Sequence, residues 1–107
     1  MQTMIQVFSK EPQSLRTQIV KELKRGQFDL RVSAQRKSGR NKGWAKLSMK
    51  GSDGVINIEW HAASQMLICR VVNKEGGKPS NIVGAFISFL LARFAKKIAS
   101  IHILPPN

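Results

Sequence analysis

The sequence predicts an α+β domain: an N-terminal helix, a four-stranded antiparallel meander and a long apolar C-terminal helix. Three observations predict it. Apolar residues recur at helical spacing over residues 9–26 and again over 80–100. Between them, over 28–74, the period falls to two. Short turn-forming stretches, GSDG and HAASQ, join the period-two runs as a meander requires. At 107 residues the chain has the size of one domain with a modest core, so 1–107 is read as a single unit.

The opening TMIQVF is apolar enough for an edge strand, with an unstructured start as the alternative. In SKEPQSLRTQIVKELKRGQ, Leu15, Ile19, Val20 and Leu23 stand at i, i+4, i+5 and i+8, one face of a helix. Ser9 is the expected N-cap, and Pro12 fits a first turn because its missing N–H has no helical partner there. Lys24 and Arg25 suit the negative end of the helix dipole, and Gly26 is a natural stop.

Phe28, Leu30, Val32 and Ala34 then alternate with Asp29, Arg31, Ser33 and Gln35, a strand wet on one side. After the loop RKSGRNKG, Ala45, Leu47 and Met49 alternate with Trp44, Lys46, Ser48 and Lys50. The next strand sets Ile56, Ile58 and Trp60 against Val55, Asn57 and Glu59, and MLICRVVNK reads as a strand apolar on nearly both faces. EGGKPSN ends the meander with Ser80 as a cap for the second helix, whose segment Ile82–Ala92 carries no charge. The N-terminal half of that helix is apolar almost all round, more than one sheet face requires, and its charged residues, Arg93, Lys96 and Lys97, lie in the C-terminal half. Phe86, Ile87, Phe89, Leu90 and Phe94 are therefore expected to join copies of the chain into a homodimer or larger homo-oligomer. IHILPP is a candidate final strand.

Charge is the strongest functional signal. Lys and Arg number 18 against 6 Asp and Glu, a net +12. Residues 16–50 supply +9 of it, eleven basic side chains against Glu22 and Asp29. Such an excess opposes compaction and is sustained when a polyanion neutralises it. Strand parity puts Trp44 on the wet face with Lys46, Ser48 and Lys50, while Trp60 joins the core. A one-residue bulge near Gly43 would reverse that placement. An indole beside cations is a platform for an unpaired base, worth about 1–3 kcal/mol per stack. The expected nucleic-acid-binding residues are Arg31, Arg36, Lys37, Arg40, Lys42, Trp44, Lys46 and Lys50, with Ser33, Gln35, Ser48 and Asn57 as hydrogen-bonding groups. The competing reading has Trp44 covering the core edge or an oligomer contact.

Four antiparallel strands followed by a long apolar helix resemble the Whirly and positive-cofactor-four group of single-stranded DNA-binding proteins. KGWAKL, residues 42–47, is similar to the basic KGKAAL signature of the Whirly proteins: Lys42, Gly43, Ala45 and Leu47 match, while Trp44 and Lys46 depart from it. The resemblance covers residues 28–100 and leaves the N-terminal helix outside. It implies single-stranded DNA, ahead of RNA, bound across a curved sheet, helix-mediated assembly, and an accessory place in transcription, replication or repair.

Catalysis finds little support. Glu11, Glu22, Asp29, Asp53, Glu59 and Glu75 form no close pair of the kind a two-metal or glycosidase site needs. Glu59 and His61 lie near one another at a strand end, a pairing that more often marks a solvated terminus than an acid–base couple. The glycines of KEGGKPSN lack phosphate-loop spacing, although Lys74, Lys78 and the following helix start could touch a phosphate. Cys69 is the only cysteine, which excludes an internal disulfide and a cysteine-based zinc cluster. No cofactor, metal or catalytic residue is expected.

No basic start followed by a long apolar run reads as a signal peptide, and IVGAFISFLLA is about half the length of a bilayer span. The expected setting is cytoplasmic or otherwise intracellular, the nucleoid included, with no membrane partner. The rival function is a structural or interaction protein that oligomerises through its apolar helix and binds an acidic protein. A third reading lays FISFLLARFAKK on an anionic membrane, but its cations cluster at one end rather than along one face.

Overall fold

Two crossover connections decide which side of the sheet stays open. The computed structural model describes residues 3–26, 28–36, 43–73 and 80–105. Its strands are β1 (Thr3–Ser9), β2 (Leu30–Arg36), β3 (Trp44–Met49), β4 (Val55–His61), β5 (Met66–Val72) and β6 (Ile98–Leu104). The helix α1 (Leu15–Arg25) links β1 to β2, and α2 (Ser80–Phe94) links β5 to β6. All neighbours pair antiparallel in the order β2-β3-β4-β5-β1-β6.

That order makes β1 parallel in sense to β2, and β5 parallel in sense to β6, so each helix returns the chain over the sheet. Such crossovers are right-handed in about 98% of cases. One steps left from an upward strand and the other steps right from a downward strand. A twofold normal to the sheet relates the two steps, so equal handedness puts both helices on the same face. Burial agrees: Leu15, Ile19, Val20 and Leu23 of α1 share one hydrophobic cluster with Ile82, Phe86, Phe89, Leu90 and Phe94 of α2. Ile5, Val7, Leu47, Ile56, Ile58 and Leu67 meet them from the sheet, each fully buried. Burying a side chain of that size contributes about 1.5–3 kcal/mol. The opposite sheet face carries no helix among the described residues.

This corrects the helix-first, four-stranded meander. The chain opens with a strand, not a helix, and the sheet has six strands. β1 alternates buried Thr3, Ile5, Val7 and Ser9 with half-buried Met4, Gln6 and Phe8, and lies between β5 and β6 instead of at an edge. Because the strand runs through Ser9, α1 begins at Leu15 and its cap is Ser14, whose Oγ accepts from the Thr17 N–H at 3.2 Å. Ser9 instead donates to the Lys97 carbonyl at 3.3 Å and accepts from the Glu11 N–H at 3.1 Å, tying the end of β1 to the turn before β6. The second helix stops at Phe94, and a 3-10 turn over Ala95–Lys97 leads into β6, so residues 98–100 are strand.

The assembly surface expected on α2 is also corrected. Phe86 and Leu90 are fully buried and Phe89 and Phe94 nearly so, all within the chain's own core, with Ile87 half-buried against it. The helix is apolar over a wide arc because it packs on more than the sheet. Phe89 meets Phe28 edge-on at 5.1 Å and Phe94 at 5.8 Å between ring centroids. Arg93 lies 5.0 Å over the Phe28 ring and reaches Glu22 of α1 at 3.9 Å. Leu91 is the exposed large apolar residue of α2.

The β3–β4 hairpin turns at Gly51, whose φ of +81° is a conformation glycine adopts without steric cost. The Ser52 N–H donates to the Met49 carbonyl at 3.1 Å to close it. No helix is long and apolar enough to cross a membrane among the described residues.

Candidate functional site

The helix-free face is built from alternate residues of the strands. On β3, Ala45 and Leu47 are fully buried toward the helices, so Trp44, Lys46 and Ser48 stand on the open side, each half-exposed. The β3–β4 register runs uninterrupted from Trp44, so no bulge reverses its side; the register shift of the β2–β3 pair lies on β2, between Val32 and Ala34. Ser33 is the extra residue, and its Oγ donates to the Lys46 carbonyl at 3.1 Å. The bulge flips the parity of β2 beyond it. Ala34 then pairs with Lys46, Gln35 with the core-facing Ala45, and Arg36 with Trp44. Gln35, expected on the wet face, therefore stands on the helix side beside α1.

The cross-strand register sets out two adjacent rows. Arg36, Trp44, Glu59 and Ile68 follow one another across β2, β3, β4 and β5; Ala34, Lys46, Asn57 and Arg70 form the next row. Trp44, Lys46, Asn57, Glu59 and Arg70 together line a hollow of about 300 Å³. Lys46 and Arg70 flank Asn57 two strand spacings apart, about 10 Å. Glu59 holds Arg70 with Oε1 to Nη1 at 3.5 Å, and its Oε2 lies 3.6 Å from His61 Nε2. All three side chains are about one-quarter to two-fifths exposed, so the cluster orients Arg70 at the surface more than it stabilises the fold.

Of the residues expected to bind nucleic acid, the structure brings Trp44 and Lys46 into this hollow and sets Arg36 beside Trp44 in register. Arg31 is exposed on β2 opposite Ser48, and Lys50 is exposed in the following turn. Arg31 extends the strip about 14 Å along β3 from Trp44, at about 3.4 Å per residue, and Lys50 lies just past the strand's end. Lys37, Arg40 and Lys42 lie outside the described residues, as do Lys74 and Lys78. Arg70 was missed by the sequence reading. Its signal is in MLICRVV, where buried Leu67, Cys69 and Val71 alternate with Met66, Ile68, Arg70 and Val72.

The other half of the open face carries no Lys, Arg, Asp or Glu among the described residues. Met66 and Ile68 of β5 pair with Phe8 and Gln6 of β1, and beyond them stand Ser100, His102 and Leu104 of β6. His102 meets the Phe8 ring edge-on at 5.4 Å between centroids. The face thus divides into a cationic half with an indole and a half of mixed polar and apolar residues without Lys, Arg, Asp or Glu.

Cys69 is fully buried, and burial pushes its thiol well above the ordinary range, which leaves it unreactive. No cluster of three or more His, Cys, Asp or Glu able to hold a metal ion forms among the described residues. No protein-family model, curated protein or solved structure matches this chain, so the reading of the site rests on its own residues.

Proposed function

We propose that this protein is a non-catalytic binder of single-stranded nucleic acid, using the cationic half of its helix-free sheet face. The observation that carries the reading is the half-exposed Trp44 in a shared hollow with Lys46 and Arg70. A base stacks on the indole and the flanking cations take the phosphates. Asn57 and Ser48 offer hydrogen-bonding groups to sugars or base edges. A duplex buries the faces of its bases, so the indole favours unpaired strands. The rival reading, in which an apolar helix docks a protein, loses the residues it relied on because they fill this chain's core.

The test is the affinity of a labelled single-stranded oligonucleotide at several salt concentrations, for the native protein and Trp44→Ala. With Arg31, Lys46, Lys50 and Arg70 engaged, log K falls with log salt with a slope of about −2 to −3. Trp44→Ala weakens binding by about 1–3 kcal/mol, roughly 5- to 150-fold, and leaves the slope intact because no charge is lost. Absence of binding at low salt would end the proposal. Equal affinity of the native protein and the variant would remove the stacking role.

A further inference from the structure

On the helix side of the sheet, α1 and the end of β2 enclose a groove of about 410 Å³ lined by Arg16, Thr17, Val20, Lys21, Lys24 and Gln35. Its volume falls within the roughly 300–1,000 Å³ typical of ligand sites. No carboxylate lines it. The acid of α1, Glu22, is turned toward Arg25 at 4.0 Å and Arg93 at 3.9 Å. Arg16, Lys21 and Lys24 make no ion pair among the described residues.

Two features set the groove apart from an ordinary solvated helix flank. Lys21 and Lys24 stand at i and i+3, a spacing at which like charges destabilise a helix. Arg16 sits in the first turn, where no acid is present and the helix dipole disfavours a cation. The dipole favours Lys24 in the last turn, but the Lys21–Lys24 repulsion and the first-turn Arg16 are unfavourable, and an anion in the groove would relieve both. The Ser33 bulge also connects this groove to the open face. By flipping parity it turns Gln35 toward the groove while the next residue, Arg36, pairs with Trp44. β2 is an edge strand, so a chain leaving Trp44 can pass over it without crossing another strand.

We infer that a single strand bound at Trp44 continues over the β2 edge and that its sugar–phosphate backbone lies in the α1 groove, held by Arg16, Lys21 and Lys24. This rests on the reading of the open face as a single-strand platform. The groove is an extension that only strands longer than the platform reach.

The experiment compares an oligonucleotide of about 6 nucleotides, near the lower end of the roughly 4–16 nucleotides that an OB fold covers, with one of about 20, beyond the upper end. Salt slopes are measured for the native protein and for Arg16→Gln, Lys21→Gln and Lys24→Gln, with Lys10→Gln and Lys96→Gln as exposed controls that do not line the groove. The expected result is a steeper slope for the long strand, which each groove substitution lowers by about 0.7. The short strand's slope is unchanged by them, and the controls move neither. Equal slopes for the two lengths in the native protein would overturn the groove path. So would groove variants that weaken both lengths alike, because the effect would then be one of net charge. Failure of the short strand to bind at all would instead sink the open-face reading, so the two failures are distinguishable.

Discussion

Glu59 stands opposite Trp44 in the sheet register, and its carboxylate holds Arg70 at 3.5 Å. On the proposed platform it is the group that repels phosphate. Glu59→Gln removes the charge and keeps the side-chain volume. The stability effect is small, because a pair one-third exposed contributes about 0.2–1 kcal/mol. The binding effect is larger. Within the hollow, Lys46 and Arg70 then face a phosphate with no carboxylate between them. For a phosphate about 7 Å from the former carboxylate, the repulsion removed is about 0.6 kcal/mol at the dielectric of water and about 2.4 kcal/mol at an effective value of about 20. Partial exposure places the outcome in the lower part of that range, about 3- to 10-fold tighter binding at low salt. The gain shrinks as salt shortens the screening length, about 10 Å at 0.1 M. Fluorescence anisotropy with the short oligonucleotide measures it, with Glu22→Gln on the helix side as the control. Weaker binding by Glu59→Gln would mean that the carboxylate positions Arg70 for the ligand. Equal tightening by Glu22→Gln would refute the local argument, because net charge alone would then govern affinity.

Phe86→Ala, at a fully buried position, costs about 3–5 kcal/mol of stability, whereas Leu91→Ala at an exposed one changes it by no more than about 0.5 kcal/mol. Urea unfolding of the two variants separates an internal role for the α2 aromatics from an external one, and a mild Phe86→Ala would contradict the core described above. Ser14→Ala removes the α1 cap and costs about 1 kcal/mol in the same assay; no loss would show that the cap contributes nothing. Cys69 resists thiol reagents in the native protein even at about pH 8.5, where an ordinary thiol is half ionised, and reacts once urea unfolds the chain. Rapid labelling of the folded protein would contradict its burial.

The placement of Trp44 is legible from alternation alone, since Ala45 and Leu47 fix the buried parity of their strand and Trp44, Lys46 and Ser48 take the other side. The α1 face is legible for the same kind of reason, because Leu15, Ile19, Val20 and Leu23 repeat at a helical period. The position of β1 is not, because its partners lie far along the chain: Ile5 pairs with Cys69 on one side and Ile103 on the other. No local pattern encodes such pairing, and an apolar strand reads alike at a centre or an edge. The bulge at Ser33 escapes for a related reason. A serine in a wet strand is unremarkable until its hydroxyl is seen donating to the Lys46 carbonyl. The apolar breadth of α2 is visible in the sequence, but its cause is not. A helix wedged among a sheet, Phe28 and α1 shows the same composition as one that docks a second subunit.

A base stacked on Trp44 is reported most directly by the emission of that indole. Trp60→Phe, at a half-buried position packed on the core, leaves Trp44 as the sole tryptophan. Titrating this variant with a single-stranded oligonucleotide is predicted to quench Trp44 fluorescence, saturating at the same concentration as binding followed by anisotropy. Binding that leaves the emission unchanged would contradict the account.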